Sequence, residues 1–197
     1  MPPQTFIFIG RSGCGKGTQA ELLKNVVKTR DPGGEIFYLE TGANFREFIK
    51  GDKYSNQLSR AIMKKGERQP DFLAIWMWAH ILLENFKGTE HLFLDGITRS
   101  LPEAMAFSTA LDFYSRTASV IFLNVSREWA EERMIARGRS DDTSEEEMKK
   151  KLNWFDRDSS PALGYFKVNE KYKFIIINGE QTIEKVHQDI LQKLNLL

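Results

Sequence analysis

"FIFIGRSGCGKGTQ", residues 6–19, sets an apolar run directly against a loop of four glycines, a lysine and a threonine. The run Phe6-Ile7-Phe8-Ile9 does not alternate with polar residues, as expected of a parallel strand buried on both faces. Gly10, Gly13, Gly15 and Gly17 remove side chains where the backbone must curl, so that successive N–H groups can point at one ligand. A helix beginning near Lys16 would add the positive end of its dipole. Phosphate is the ligand such a loop suits.

The same rhythm continues outward. Apolar, β-rich runs at Thr5–Ile9, Glu35–Leu39, His91–Leu94, Ser119–Val125 and Lys173–Ile177 are predicted strands. Predicted helices fall at Lys16–Thr29, Phe45–Lys50, Ser55–Lys65, Pro70–Phe86, Leu101–Ser115, Arg127–Arg137, Ser144–Phe155 and Thr182–Leu194. Alternation of this kind predicts a three-layer α/β fold around a five-stranded parallel sheet, with residues 1–197 as a single domain. Asp31-Pro32-Gly33-Gly34 signals a turn, and Ser144 followed by Glu147 matches a capping box. Two stretches interrupt the pattern: a helical piece at about 41–70 and a short polar piece at about 137–143. Insertions of that kind often become lids.

Composition narrows the class. Hydrophobic residues form 41% of the 197, enough for a sizeable core. Lys plus Arg number 28 against 27 Asp plus Glu, a net charge of +1 that argues against a nucleic-acid binder. The single cysteine, Cys14, precludes an internal disulfide and reads as a small spacer within the loop. No basic-then-apolar leader opens the chain, and the apolar stretch Phe72–Leu83 is too short to span a bilayer. The expectation is a cytoplasmic protein without membrane or nucleic-acid partners.

Gly10-x-x-Gly13-x-Gly15-Lys16 has the spacing of a Walker A loop, in which the lysine reaches the β- and γ-phosphates. The consensus Ser or Thr directly after the lysine is replaced here by Gly17, with Thr18 following. That variant, Gly-Lys-Gly-Thr-Gln at 15–19, resembles the P-loop of adenylate kinases. Further stretches resemble the same family in order: Thr41-Gly42-Ala43-Asn44-Phe45-Arg46, Lys65-Gly66-Glu67-Arg68-Gln69-Pro70, Asp95-Gly96-Ile97-Thr98-Arg99, Glu132-Arg133…Arg137-Gly138 and Arg139-Ser140-Asp141-Asp142. So close a spacing of the last two leaves room only for a short lid.

The resemblance implies a P-loop NTPase fold with a helical monophosphate-binding insertion, acting as a monomer on ATP and a nucleoside monophosphate with Mg²⁺. Such a reaction needs positioning and charge neutralisation more than covalent help. Its acceptor is already mostly dianionic, with a second pKa of about 6, so no general base is required. By resemblance Gly10, Gly13, Cys14, Gly15, Lys16, Gly17 and Thr18 hold ATP, Arg133 stacks on its adenine and Arg137 grips its phosphates. Thr41, Gly42, Arg46, Gln69, Gly96, Arg99, Glu103 and Arg139 serve the acceptor nucleotide, with Lys16, Arg99, Arg137 and Arg139 closest to the chemistry. Asp95, closing an apolar strand, would hold Mg²⁺ through water.

Departures concentrate on the acceptor side. Ala43 replaces the family's Asp, Thr98 its Pro, and Arg68-Gln69 an apolar Leu-Val pair. Glu103 stands where a Gln reads adenine. An ionised carboxylate only accepts hydrogen bonds, which suits guanine's adjacent N–H donors better than adenine's mixed edge. AMP is the expected acceptor; GMP, CMP or UMP, or a P-loop protein without turnover acting as a sensor or scaffold, are the alternatives.

Overall fold

A computed structural model describes residues 1–139 and 144–197. Strands β1 (Thr5–Ile9), β2 (Ile36–Glu40), β3 (His91–Asp95), β4 (Ala118–Asn124) and β5 (Tyr172–Asn178) form one sheet in the order β2-β3-β1-β4-β5. Every pairing is parallel, with Phe8 registered against Asp95 of β3 and Ile121 of β4. Side chains alternate across a strand, so the continuous apolar run of β1 must be covered twice. Phe6 and Phe8 pack with Leu23 and Val27 of α1 (Lys16–Arg30), Met134 of α6 (Arg127–Arg137) and Val186 and Ile190 of α9 (Ile183–Leu194). Ile7 and Ile9 pack on the other face, with Trp78 and Leu82 of α4 (Asp71–Asn85), Phe107 of α5 (Leu101–Phe113) and Phe166 of α8 (Ser160–Val168). The expected three-layer α/β architecture is observed.

Two shorter helices, α2 (Thr41–Phe48) and α3 (Tyr54–Lys64), separate β2 from α4, and α7 (Glu145–Trp154) follows the short polar piece. Of that piece, 140–143 lies outside the described residues, and with it Ser140-Asp141-Asp142. Ser144 caps α7, its Oγ accepting from Glu147 N at 3.2 Å. The remaining elements diverge from expectation in two places. Helix α2 starts at Thr41 rather than Phe45, since Gly42 and Asn44 lower its intrinsic propensity without blocking a packed helix. Helix α8 has no counterpart among the helices that the sequence predicts. Pro161 discouraged it, yet proline occupies the first turn, where its missing N–H costs nothing. Between α7 and α8 a single π-helical turn, Phe155–Ser159, carries the chain without a break.

Trp78 is buried in the core, whereas Trp76 on the same helix is 46% exposed, stacked on His80 and set beside Phe48. Among the described residues, no helix is long and apolar enough to cross a membrane.

Candidate active site

Parallel strands deliver all their C-terminal ends to one edge of the sheet, and ligands of open α/β folds bind there, where strand order reverses. In this chain the reversal is at β1. The loop after β1, the start of α2 after β2 and the loop after β3 all open onto one cavity of about 390 Å³.

Its donor end is the glycine loop. Gly13 and Gly15 adopt φ of +86° and +93°, a region closed to most side chains. A Cβ on Gly13 would stand 2.4 Å from Ala130 O, so only glycine lets the loop lie on α6. Gly15 precedes α1 with no side-chain cap, which leaves that helix's first N–H groups to the cavity. Lys16 Nζ donates to Gly10 O at 2.8 Å and Arg11 O at 2.9 Å, folded along the loop it serves. Cys14 is buried, its Sγ 3.6 Å from Lys16 Nζ. Thr18 and Gly17 line the same wall.

Asp95 ends β3 across from the loop. Its Oδ2 lies 3.4 Å from where a Cβ on Gly17 would be, and it accepts from Tyr38 Oη at 3.3 Å. Burial raises its pKa above the ordinary carboxylate value, while the neighbouring Lys16 charge pulls it down. Burial, followed by the Asp95 charge, likewise raises the Tyr38 phenol. Magnesium in phosphoryl-transfer sites is held by one or two carboxylates, substrate phosphates and water, not by a protein cage. Asp95, a buried carboxylate beside Lys16 on the cavity wall, fits that mode.

The acceptor end is cationic. Arg46 pairs with Glu40 at 2.8 Å, and Gly42 lies against the Arg46 guanidinium. Arg99 sits over the Trp154 ring at 5.5 Å and donates from Nε to Gly96 O at 2.5 Å. Burial lowers its pKa from a very high starting value, opposed by Glu103 and Asp95, so the guanidinium keeps its charge. Thr98 explains how Arg99 is aimed. It holds φ +56°, which a proline ring locked near −65° cannot reach, so Thr for Pro marks a differently built loop.

Sixteen of the site residues expected from sequence line this cavity, among them Gly10, Gly13, Gly42, Arg46, Gln69, Gly96, Arg133, Arg137 and Arg139. Thr41 and Glu103 do not. Thr41 is 3% exposed, with an Oγ1 that has no partner among the described residues. Glu103 is 1% exposed and its Oε2 accepts from Arg99 N at 2.7 Å. The structure therefore places Glu103 beneath the Arg99 loop and not on the cavity wall.

That placement has a measurable sign. Burial raises the Glu103 pKa above 4.5, against the lowering effect of the Arg99 N–H and charge. Between 4.5 and the raised native value, the folded chain keeps a proton that the unfolded chain has released. Stability contributed by this group thus falls as pH rises through that window. Glu103→Gln removes the titration, so the melting temperature of the variant should gain on wild type from pH 4.5 upward in paired thermal melts. A difference independent of pH would mean that Glu103 titrates normally.

Three contributors had no clear signal in the sequence. Arg11 pairs with Asp156 at 2.5 Å, 145 positions away, and ties the loop to the π-turn. Glu40 holds Arg46. Trp129 carries the Arg133 guanidinium over its ring at 4.7 Å, and only the i, i+4 spacing on α6 hinted at that pair. Lys151 also lines the cavity.

Comparison with known proteins agrees with this geometry. The family model described as Adenylate kinase matches residues 8–171. The chain is 30% identical to an adenylate kinase of Flavobacterium psychrophilum over 196 residues, covering 97% of this chain and 98% of that protein. It is 30% identical to one from Prochlorococcus marinus strain AS9601, with 95% and 97% covered, and 30% identical to one from Bacteroides fragilis, with 97% and 98% covered. A glycine loop facing an arginine-bearing helix and an arginine-bearing loop across one cavity, and a family match over most of the length, lead to one conclusion: the chain belongs to the adenylate kinase family and is a nucleoside monophosphate kinase.

Proposed function

We propose that the protein moves the γ-phosphoryl group of ATP to AMP, reversibly, to give two ADP. The observation carrying this is the opposition of Lys16 and the N-terminus of α1 to Arg46 and Arg99 across one cavity. The donor phosphates lie on the loop N–H groups, with Lys16 moving from the Gly10 and Arg11 carbonyls to the β- and γ-oxygens. Arg46 and Arg99 hold the acceptor phosphate in line, so an oxygen already ionised attacks without a base. Asp95 would hold, through water, the Mg²⁺ that accompanies the nucleotide, and that ion would supply charge neutralisation to the phosphates. Residues 41–70 serve as the acceptor-binding piece and 137–143 as a short lid.

Arg133, beside Trp129, covers the donor base, and Arg137 and Arg139 close over the phosphates. Because one chain carries both ends of the cavity, we propose that it acts as a monomer, and the single cysteine, Cys14, left free, suits the reducing cytoplasm.

Coupled assays of ATP with AMP, GMP, CMP and UMP test the reading. Turnover of none of them would overturn it in favour of a nucleotide-binding protein. Arg139→Ala tests the lid: its arginine should act once the cavity closes, so kcat should fall by about tenfold or more, with ATP binding in the absence of acceptor little changed. A raised KM at unchanged kcat would remove Arg139 from the transition state.

A further inference from the structure

Where the family's apolar pair and adenine-reading amide would be stand three polar side chains: Arg68 and Gln69 on the acceptor wall, and Glu103 beneath the Arg99 loop. Arg68 is the one that keeps a whole nitrogen without a partner among the described residues. Glu103 is spent on Arg99 N, and its Oε1 is shielded from the cavity. Gln69 donates Nε2 to Ser59 O at 3.0 Å; because a carbonyl can only accept, this fixes which end of the amide is which. Its Oε1 is then an acceptor, and that atom too is shielded.

Arg68 is different. It lines the cavity, and its side chain retains 17% exposure. Asp71 takes Nη1 at 2.7 Å and Asp158 takes Nε at 3.2 Å, while Ser100 Oγ donates to the same Asp71 oxygen at 2.5 Å. Burial opposes the charge, but the hydrogen bonds to the two carboxylates overcome it and raise the pKa. Nη2 has no hydrogen-bond partner among the described residues. A fully ionised donor is thus clamped on two sides and left unoccupied on the third.

We infer that Arg68 reads the acceptor base and that it selects for a carbonyl oxygen, so that the site accepts oxo-purine monophosphates alongside AMP. The inference rests on the kinase reading above. A guanidinium only donates, which matches edges made of acceptors, such as O6 and N7 of guanine. Adenine is the one common base without a carbonyl oxygen. At its six position it offers an amino group, which would set donor against donor.

AMP and IMP make the cleanest pair, since they differ by amino against oxo at that position. Wild type should phosphorylate IMP and GMP as well as AMP. Arg68→Met keeps much of the apolar stem but no donor, and should lower the IMP-to-AMP ratio of kcat/KM by about tenfold, the scale of one charge-assisted hydrogen bond. A fall of less than fivefold, or a wild type that turns over AMP alone, overturns the inference. A purely structural ion pair would change both acceptors equally and leave the ratio still.

Should Arg68→Met lose its thermal transition, Arg68→Lys keeps a charge between Asp71 and Asp158 but loses the fixed fork, and the same fivefold criterion applies. If wild type phosphorylates none of the three, the kinase reading fails. The ratio of AMP to IMP dissociation constants, taken by calorimetry on wild type and variant, then still decides for or against Arg68.

Discussion

Replacing Lys16 with methionine should lower kcat by on the order of 10²–10³-fold or more, the scale seen when one preorganised charge-stabilising group is lost. The side chain is well placed for so large an effect because it carries little of the fold. Among the described residues its ammonium bonds only to Gly10 O, Arg11 O and the Cys14 sulfur, and no hydrophobic cluster there includes it. Methionine keeps similar length and removes the charge, so the melting temperature should stay near that of wild type while single-turnover phosphoryl transfer collapses. A variant with near-normal turnover would remove Lys16 from the reaction.

Arg99→Ala is expected to cost kcat/KM a comparable factor, on the order of 10²–10³-fold. Its guanidinium is fixed by Gly96 O below and the Trp154 ring above, so it meets a phosphate without reorganising. Arg99→Lys should recover only part of the loss, since an ammonium keeps the charge without the planar fork. The fold should survive both changes, because Glu103 bonds to the backbone of residue 99 and not to its side chain. Steady-state kinetics against AMP separates the outcomes: equal activity of the Lys variant and wild type would reduce Arg99 to a point charge.

Structure is legible in the sequence where local chemistry repeats. The unbroken β1 run, the glycines whose positive φ only they hold cheaply, and the Ser144 cap before α7 each state their structure within a few positions. Long-range pairings were invisible. Nothing near Arg11 announces Asp156, and nothing near Arg68 announces Asp158, 90 positions on. Glu103 shows the limit best. Its place four residues after Arg99 predicted a role at the base, but the left-handed turn at Thr98 brings the Arg99 N–H within its reach, and that turn follows from no local pattern.

The π-turn Phe155–Ser159 gives the chain an unusual vulnerability. Asp156 faces Arg11 and Arg127, Asp158 faces Arg68 and Arg157, and Ser159 Oγ donates to Arg99 O at 2.9 Å. A π-turn holds one residue more than the α-helix around it. Removing one residue there would let the turn close to ordinary helical hydrogen bonding, shifting the turn's own side chains around the axis while leaving the helix beyond it nearly in phase. Asp158→Asn would spoil one contact and leave its neighbours aimed as before. A one-residue deletion early in the turn would instead turn several side chains away from the glycine loop, the acceptor wall and the Arg99 loop together. At this turn the count of residues is held more tightly than their identity, and single-codon deletions should be tolerated far less than substitutions.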